Sequence, residues 1–396
     1  MTNKFTSKFF HLFGSKGIGK ELSPLPKVAD FMPQFDPLLQ DKPVEILYWP
    51  SYQNPYQRLF YGRDGEHYLT RPGCIDEALE AAQSSNQKDV CFHVHWLNSL
   101  FKKNKNSTTA HDLVEEFLQQ CFSFKRLGGL VIWTIHNAEE HECPEPELEF
   151  RLRKELGQLA DIVIMHSCRN NNKIIEELGI QHDKVLIIEH GSYINVYENA
   201  VPRHLARQRF KLRTNVTSFL NLGFMRPYKG IDQLIGAVSQ LNETGKDASL
   251  TLAGSASKED SDYLTMVAKE KLFIQAYCGW VKDDDVQYYM NAADFVVLPY
   301  KNILTSGSAL LSLSFGKPVI APKRGALVDL LEDGQTGFLY NPEEENGLLK
   351  ALLRGIETPV EKRFSMSQAA LSQASKLLWS DARAKLIGGI RSINDR

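Results

Sequence analysis

The sequence has no run of about 18 or more apolar residues, so no membrane-spanning helix is expected. It has no CxxC pair either. Its six cysteines, Cys74, Cys91, Cys121, Cys143, Cys168 and Cys278, are scattered and read as reduced thiols. Residues 1–23 are basic and mildly apolar, but they lack the continuous apolar core and small-residue cleavage site of a secretion signal. A cytoplasmic location is the resulting expectation. An excess of one charge is missing as well: 46 Lys+Arg against 48 Asp+Glu leave a formal charge of −2. A near-neutral chain has no global electrostatic reason to bind nucleic acid. No GxGxxG follows the apolar run at 44–49, which argues against a nicotinamide dehydrogenase. No short-period repeat is present.

What is present fits a soluble globular composition: 43% hydrophobic, 10% aromatic and 24% charged over 396 residues. That length suggests two domains. Residues 1–42 are broken by Pro24, Pro26, Pro33 and Pro37 and read as an irregular arm. Phe9, Phe10, Leu12 and Phe13 among lysines make a membrane surface a candidate partner for that arm. From Val44 the pattern changes. Short apolar runs at 44–49, 90–94, 130–135, 162–166 and 185–188 alternate with amphipathic stretches such as 111–122 and 147–160. A second series follows at 217–222, 249–253, 273–278, 295–298 and 318–321, with amphipathic stretches at 231–242 and 284–292. Apolar strands alternating with helices indicate parallel sheets covered on both faces. The expected fold class is therefore α/β, with two doubly wound Rossmann-like domains facing across a cleft. The expected boundaries are an arm at 1–42, a first domain at 43–200, a linker at 201–214, a second domain at 215–374 and a terminal helical segment at 375–396.

Ligands of open α/β sheets bind beyond the carboxyl ends of the strands, so polar residues there are the candidates. The first domain places Tyr52, Asn54 and Tyr56 after its first run. His93, His95 and Trp96 end the second, His136, Asn137 and Glu140 follow the third, and His190 lies near the domain's end. One such histidine fits a packed core; three His-bearing strand ends point to a functional cleft. A zinc site from His95, His136 and His141 has the right residue type, but no HExxH or cysteine partner supports it. In the second domain a glycine turn at Gly223 precedes Arg226 and Lys229, two cations suited to a diphosphate. Thr305, Ser306, Gly307 and Ser308 open an apolar helix whose free N–H groups suit a phosphate.

Together these residues carry a resemblance. From Val44 to Phe364 the chain resembles GT-B nucleotide-sugar glycosyltransferases of the GT4-like type, the glycosyl transferases group 1. The ordered motifs are Gly223-x-x-Arg226-x-x-Lys229-Gly230, Leu252-Ala253-Gly254, Ala292-Ala293-Asp294, Gly316-Lys317-Pro318 and Asp333-Gly334-x-x-Gly337. The first half resembles bacterial polysaccharide-assembly members through Asn54-Pro55-Tyr56, His93-x-His95-Trp96, Trp133 to Asn137 and His190 to Tyr193.

The resemblance implies a nucleotide diphosphate sugar, UDP- or GDP-linked, held by the second domain through Gly223, Arg226, Lys229, Asn302, Thr305, Ser306, Gly307 and Ser308. It implies a saccharide or lipid-linked acceptor on the first domain, near Tyr52, Asn54, Trp96, Asn137 and His190. His95 is the expected residue beside the transferred sugar, and His136 or Glu140 would be the base of an inverting reaction. The resemblance further implies hexosyl transfer in surface or exopolysaccharide assembly, retention of configuration, and neither cofactor nor metal. It also implies a terminal helix at 375–396 that crosses back to the first domain. One departure stands out. The family's two glutamates, eight positions apart, fall on Ile303 and Leu311, and neither can bind a sugar or ribose hydroxyl. A non-catalytic GT-B scaffold of an assembly complex is the alternative this motivates.

Overall fold

Two parallel six-stranded sheets organise the chain. The computed structural model describes residues 43–52, 54–62, 68–84, 89–101, 109–137, 143–167 and 171–394. The arm at 1–42, together with Glu140 and His141, lies outside the described residues. The first sheet contains β1 (Val44–Trp49), β2 (Tyr68–Pro72), β3 (Asp89–Val94), β4 (Leu130–Thr134), β5 (Ile162–Met165) and β6 (Val185–Ile187), in the order β2-β1-β3-β4-β5-β6. Its helices are α1 (Pro55–Tyr61), α2 (Ile75–Ser84), α3 (Ala110–Arg126), α4 (Pro146–Leu159) and α5 (Asn172–Leu178).

The second sheet contains β7 (Thr217–Leu222), β8 (Ala248–Gly254), β9 (Ile274–Cys278), β10 (Phe295–Val297), β11 (Val319–Pro322) and β12 (Gly337–Tyr340), in the order β12-β11-β10-β7-β8-β9. Around it lie α6 (Arg203–Arg209), α7 (Ile231–Glu243), α8 (Lys258–Glu270), α9 (Asp283–Ala292), α10 (Gly307–Ser314), α11 (Leu327–Leu330), α12 (Gly347–Glu357) and α13 (Val360–Ser375). The last helix, α14 (Trp379–Asn394), follows.

The strands form where the chain is apolar without interruption because both faces of each sheet are covered. Every residue of β7, β8 and β11 is buried, and Phe92, Phe124, Phe219 and Phe295 are wholly enclosed. Burial of each such ring contributes about 2–3 kcal/mol. Two strands carry no such run in the sequence. β2 is an edge strand with mixed exposure, and β12 is four residues long and opens on a glycine.

The stretch 201–214, expected as a linker, belongs structurally to the second domain. Its helix α6 packs Ala206, with Phe210 just beyond, against Ala292 of α9. The buried Arg207 guanidinium pairs with Asp294 at 3.2 Å and donates to the carbonyls of Arg213 and Val216 at 2.7 and 2.6 Å. These bonds offset most of the cost of burying the cation, although its Nε has no hydrogen-bond partner. At the other end of the chain, α14 packs Ala382, Leu386 and Ile390 against Val44, Ile46 and Phe60 of the first domain. Trp379 donates its indole N–H to the Ser192 carbonyl at 2.7 Å.

Candidate active site

The carboxyl ends of β3, β4, β5 and β6 bring His93, His95, His136, His166 and His190 together. Tyr56 and Tyr61 of α1 stand among them. Tyr61 Oη lies 2.8 Å from His93 Nδ1 and 2.6 Å from His95 Nε2. His95 Nδ1 lies 3.0 Å from His136 Nε2, and His93 Nε2 lies 2.8 Å from Thr134 Oγ1. Tyr56 Oη is 3.3 Å from His166 Nε2. Trp96 stacks on His136 with ring centroids 4.4 Å apart. Trp379 packs edge-on against Tyr56 and lies 4.9 Å from the His190 ring.

Burial disfavours charge throughout this cluster. It pushes His93 and His190 down to about 3 and His166 to about 4. His95 and His136 are also held well below the ordinary range, first by burial and then by neighbouring imidazoles. Tyr56 and Tyr61 are raised by burial and stay neutral phenols. The cluster is therefore a set of neutral donors and acceptors at neutral pH.

A second group of candidate residues is built on β7, β10 and the turns that follow them. Gly223, at φ 130°, leaves open the space around two polar groups: a Cβ there would lie 3.4 Å from Ser308 Oγ and 3.5 Å from Lys229 Nζ. Lys229 is 8% exposed, and its ammonium faces the rings of Tyr300 at 5.4 Å and Tyr228 at 5.9 Å. No carboxylate pairs with it among the described residues. Arg226 is half-buried and immediately precedes the turn Pro227–Lys229. Ser306 caps α10: its Oγ accepts from Ala309 N at 3.1 Å and lies 3.1 Å from Tyr300 Oη. The cap leaves the Gly307 and Ser308 N–H groups at an uncompensated helix start, where a phosphate is favoured.

The two sides meet. Thr305 Oγ1 donates to the His136 carbonyl at 3.1 Å, and Leu304 is buried within the first domain's core. A Cβ on Gly307 would lie 3.3 Å from Tyr193 Oη, whose ring is 5.6 Å from that of His190.

The other sequence candidates are placed as follows. Tyr52 donates to Asn98 Oδ1 at 2.7 Å and lies 5.1 Å from the Trp96 ring. Asn54 serves as the N-cap of α1, accepting from Gln57 N at 3.3 Å. The Asn137 carbonyl accepts from Arg153 at 3.0 Å. Asn302 is exposed in the turn before Ile303. Ile303 and Leu311 pack among apolar residues of the second domain such as Ala309 and Leu313. Sequence reasoning did not single out Tyr61, Thr134, His166 or Trp379 as site residues. For His166 a signal existed, since it ends a strand as His95 and His136 do. Among the described residues no group of three or more His, Cys, Asp or Glu is arranged to hold a metal ion.

Comparison with known proteins gives the family. The model for glycosyl transferases group 1 matches residues 217–358. A D-inositol 3-phosphate glycosyltransferase of Corynebacterium aurimucosum is 27% identical over 62% of this chain, and the chain spans 60% of that relative's length. A GDP-mannose:glycolipid 4-β-D-mannosyltransferase of Xanthomonas campestris is 31% identical over 76% of this chain and 79% of its own. Among solved structures, Anabaena HepE in complex with UDP and glucose superposes with a TM-score of 0.65 at 18% identity, over 88% of this chain and 99% of that one. Sucrose-phosphate synthase of Thermosynechococcus elongatus does so with a TM-score of 0.63 at 16% identity, over 89% and 99%. The fold likeness and the relative above 30% identity agree: the chain belongs to the glycosyl transferases group 1, with the two-domain α/β architecture called GT-B.

Proposed function

We propose that this protein transfers a hexosyl residue from a nucleotide diphosphate sugar to a hydroxyl of a saccharide or lipid-linked saccharide, in assembly of a surface or exopolysaccharide. The observation that carries the reading is the bond from Thr305 to His136, which joins the helix start near Gly223, Lys229 and Ser308 to the histidine cluster. Breaking the anomeric C–O bond builds negative charge on the leaving diphosphate. On this reading Lys229, Arg226 and the start of α10 would stabilise it, and no metal would be needed. His95 and His190 would line the sugar and acceptor positions, and Trp96 would offer an apolar face to a sugar ring.

For the stereochemical course we take inversion in place of the retention that the resemblance implies. Two observations favour it. Ile303 and Leu311 are packing residues, so the family's usual carboxylates are missing from the donor side. The Xanthomonas relative is named for β-mannosyl transfer from GDP-mannose to a glycolipid. Inversion needs a base on the face opposite the leaving group, and His136 is the candidate. Among the described residues no helix is long and apolar enough to cross a membrane.

The test is a thermal-shift screen of GDP-mannose and other GDP-, UDP- and dTDP-sugars, since a ligand that binds the native state raises its melting temperature. A transfer assay with the best donor follows, with the anomeric configuration of the product read by NMR. A β-linked hexose from an α-linked donor supports the reading, and an α-linked one returns the mechanism to retention. Donor binding with no turnover on any saccharide acceptor would favour the scaffold, which the apolar Ile303 and Leu311 motivate.

A further inference from the structure

Helix α4 buries two charged residues on its inward face. Glu149, Leu152, Arg153 and Leu156 recur at the i, i+3, i+4, i+7 spacing of a helix stripe, and all four are buried. Leu152 and Leu156 join the first domain's core with Trp133. Glu149 and Arg153 stand where two further apolar side chains would complete the stripe. Their side chains are 6% and 5% exposed, and Arg153 Nη1 lies 3.2 Å from Glu149 Oε1. The guanidinium also faces the Trp133 ring, 5.8 Å from its centroid. Stability is a weak reason for such a pair. Taking two charges out of water offsets much of their attraction, and apolar residues of similar volume often serve as well or better. What the pair adds beyond packing is a bond to main chain: Arg153 Nη2 donates to the Asn137 carbonyl at 3.0 Å. The preceding carbonyl, that of His136, accepts from Thr305 at 3.1 Å. Two successive carbonyls are thus held from two domains, Asn137 by α4 of the first and His136 by the residue before the α10 cap in the second. The His136 side chain springs from the same stretch of backbone, and its ring lies 3.0 Å from His95 Nδ1 and stacks on Trp96.

We propose that the buried Glu149–Arg153 pair is a positioning device: it sets the His136–Asn137 main chain, and so fixes both where Thr305 meets the first domain and how the His136 ring is aimed. Glu149 orients the guanidinium, and Arg153 passes that orientation to the Asn137 carbonyl. Arginine suits the task because its planar fork sends one nitrogen to the carboxylate and another to the carbonyl, whereas a lysine offers a single point charge. Glu149 and Arg153 are positioning residues, acting on the reaction through His136 and Thr305. The purpose of the device rests on the transferase reading of His136. The coupling between Arg153 and Thr305 is independent of that reading.

The test is a mutant cycle on the full-length chain. Glu149→Leu combined with Arg153→Met removes both charges and keeps side-chain volume, so the urea midpoint should stay at or above that of wild type. Its kcat should nevertheless fall about tenfold at unchanged donor KM, because a misplaced catalytic group loses rate rather than donor binding. Wild-type kcat in this protein overturns the proposal. Thr305→Val is then introduced into the wild-type and the doubly substituted backgrounds. In wild type it should lower the urea midpoint. In the doubly substituted background it should do so by about half as much or less, since the carbonyl it releases is no longer held in place. An equal drop in both backgrounds also overturns the proposal. If the doubly substituted protein does not fold, Arg153→Lys is read by the same cycle: it keeps a cation for Glu149 but lacks the second nitrogen that reaches Asn137. Because the urea cycle needs no donor, a protein that transfers no sugar but shows the coupling refutes the function and leaves the device standing.

Discussion

Thr305 of the second domain donates its hydroxyl to the backbone carbonyl of His136 in the first, at 3.1 Å. The next residues, Ser306, Gly307 and Ser308, open the helix that faces Gly223 and Lys229. One side chain therefore ties the Gly223–Lys229 turn and the start of α10 to the histidine cluster. Thr305→Val keeps the shape and removes that bond. It should lower kcat several-fold while costing only about 1 kcal/mol of stability. Thr305→Ser should restore the rate. Steady-state kinetics beside urea denaturation measure both, and a wild-type kcat in Thr305→Val would show the tie to be idle.

Lys229 sits in a nearly enclosed position against two tyrosine rings, with no carboxylate partner among the described residues. Such a cation is available to a ligand anion. Lys229→Ala should cut kcat/KM by about 10²–10³-fold, as expected when one preorganised charge is taken from a leaving group. Circular dichroism should remain unchanged. Arg226→Ala should act in the same direction. Wild-type transfer by folded Lys229→Ala protein would remove this residue from the site.

Gly230 follows Lys229 at φ 67° and begins α7. A Cβ there would lie 2.2 Å from the Pro299 carbonyl oxygen. Gly230→Ala should destabilise the protein by about 2–3 kcal/mol, combining the left-handed backbone with a clash against main chain. A denaturation midpoint equal to wild type would contradict this.

The histidine cluster makes stability depend on pH in a definite direction. In the unfolded chain a histidine titrates near 6.5. In the fold His93 and His190 are pushed down to about 3 and His166 to about 4 by burial. Above pH 6.5 both states are neutral and the cluster imposes no penalty. Below it the unfolded state takes up protons that the fold refuses, so stability falls as pH drops from 6.5 towards 4. Urea midpoints measured between pH 8 and 4.5 should show this decline. Replacing His190, the cluster member beside Tyr193 and Trp379, by Gln should make the decline shallower. A decline of equal slope in His190→Gln would refute the assignment.

Most of the fold was legible in the sequence because parallel strands buried on both faces leave unbroken apolar runs, as at Thr217–Leu222. The edge strand Tyr68–Pro72 left none, since none of its residues is buried. The stretch at 201–214 looked like a linker because it is polar, with Pro202 and a basic run to Arg213. Arg207 is instead buried, and its burial is compensated by Asp294, 87 residues away. The histidine-bearing strand ends were visible as a set. The path joining them was not, because Tyr61 comes from α1 and Thr134 from β4, and spacing along the chain does not reveal which hydroxyl lies between which imidazoles.

The return of α14 to the first domain has a consequence for synthesis. The face formed by Val44, Ile46 and Phe60 is closed by Ala382, Leu386 and Ile390. Domains generally fold as they leave the ribosome, first one and then the next. Here part of the face shared by β1 and α1 stays uncovered until α14 has been translated. A nascent chain stopped within the second domain would expose that apolar face, which makes interrupted or truncated products the natural targets of chaperones and proteases.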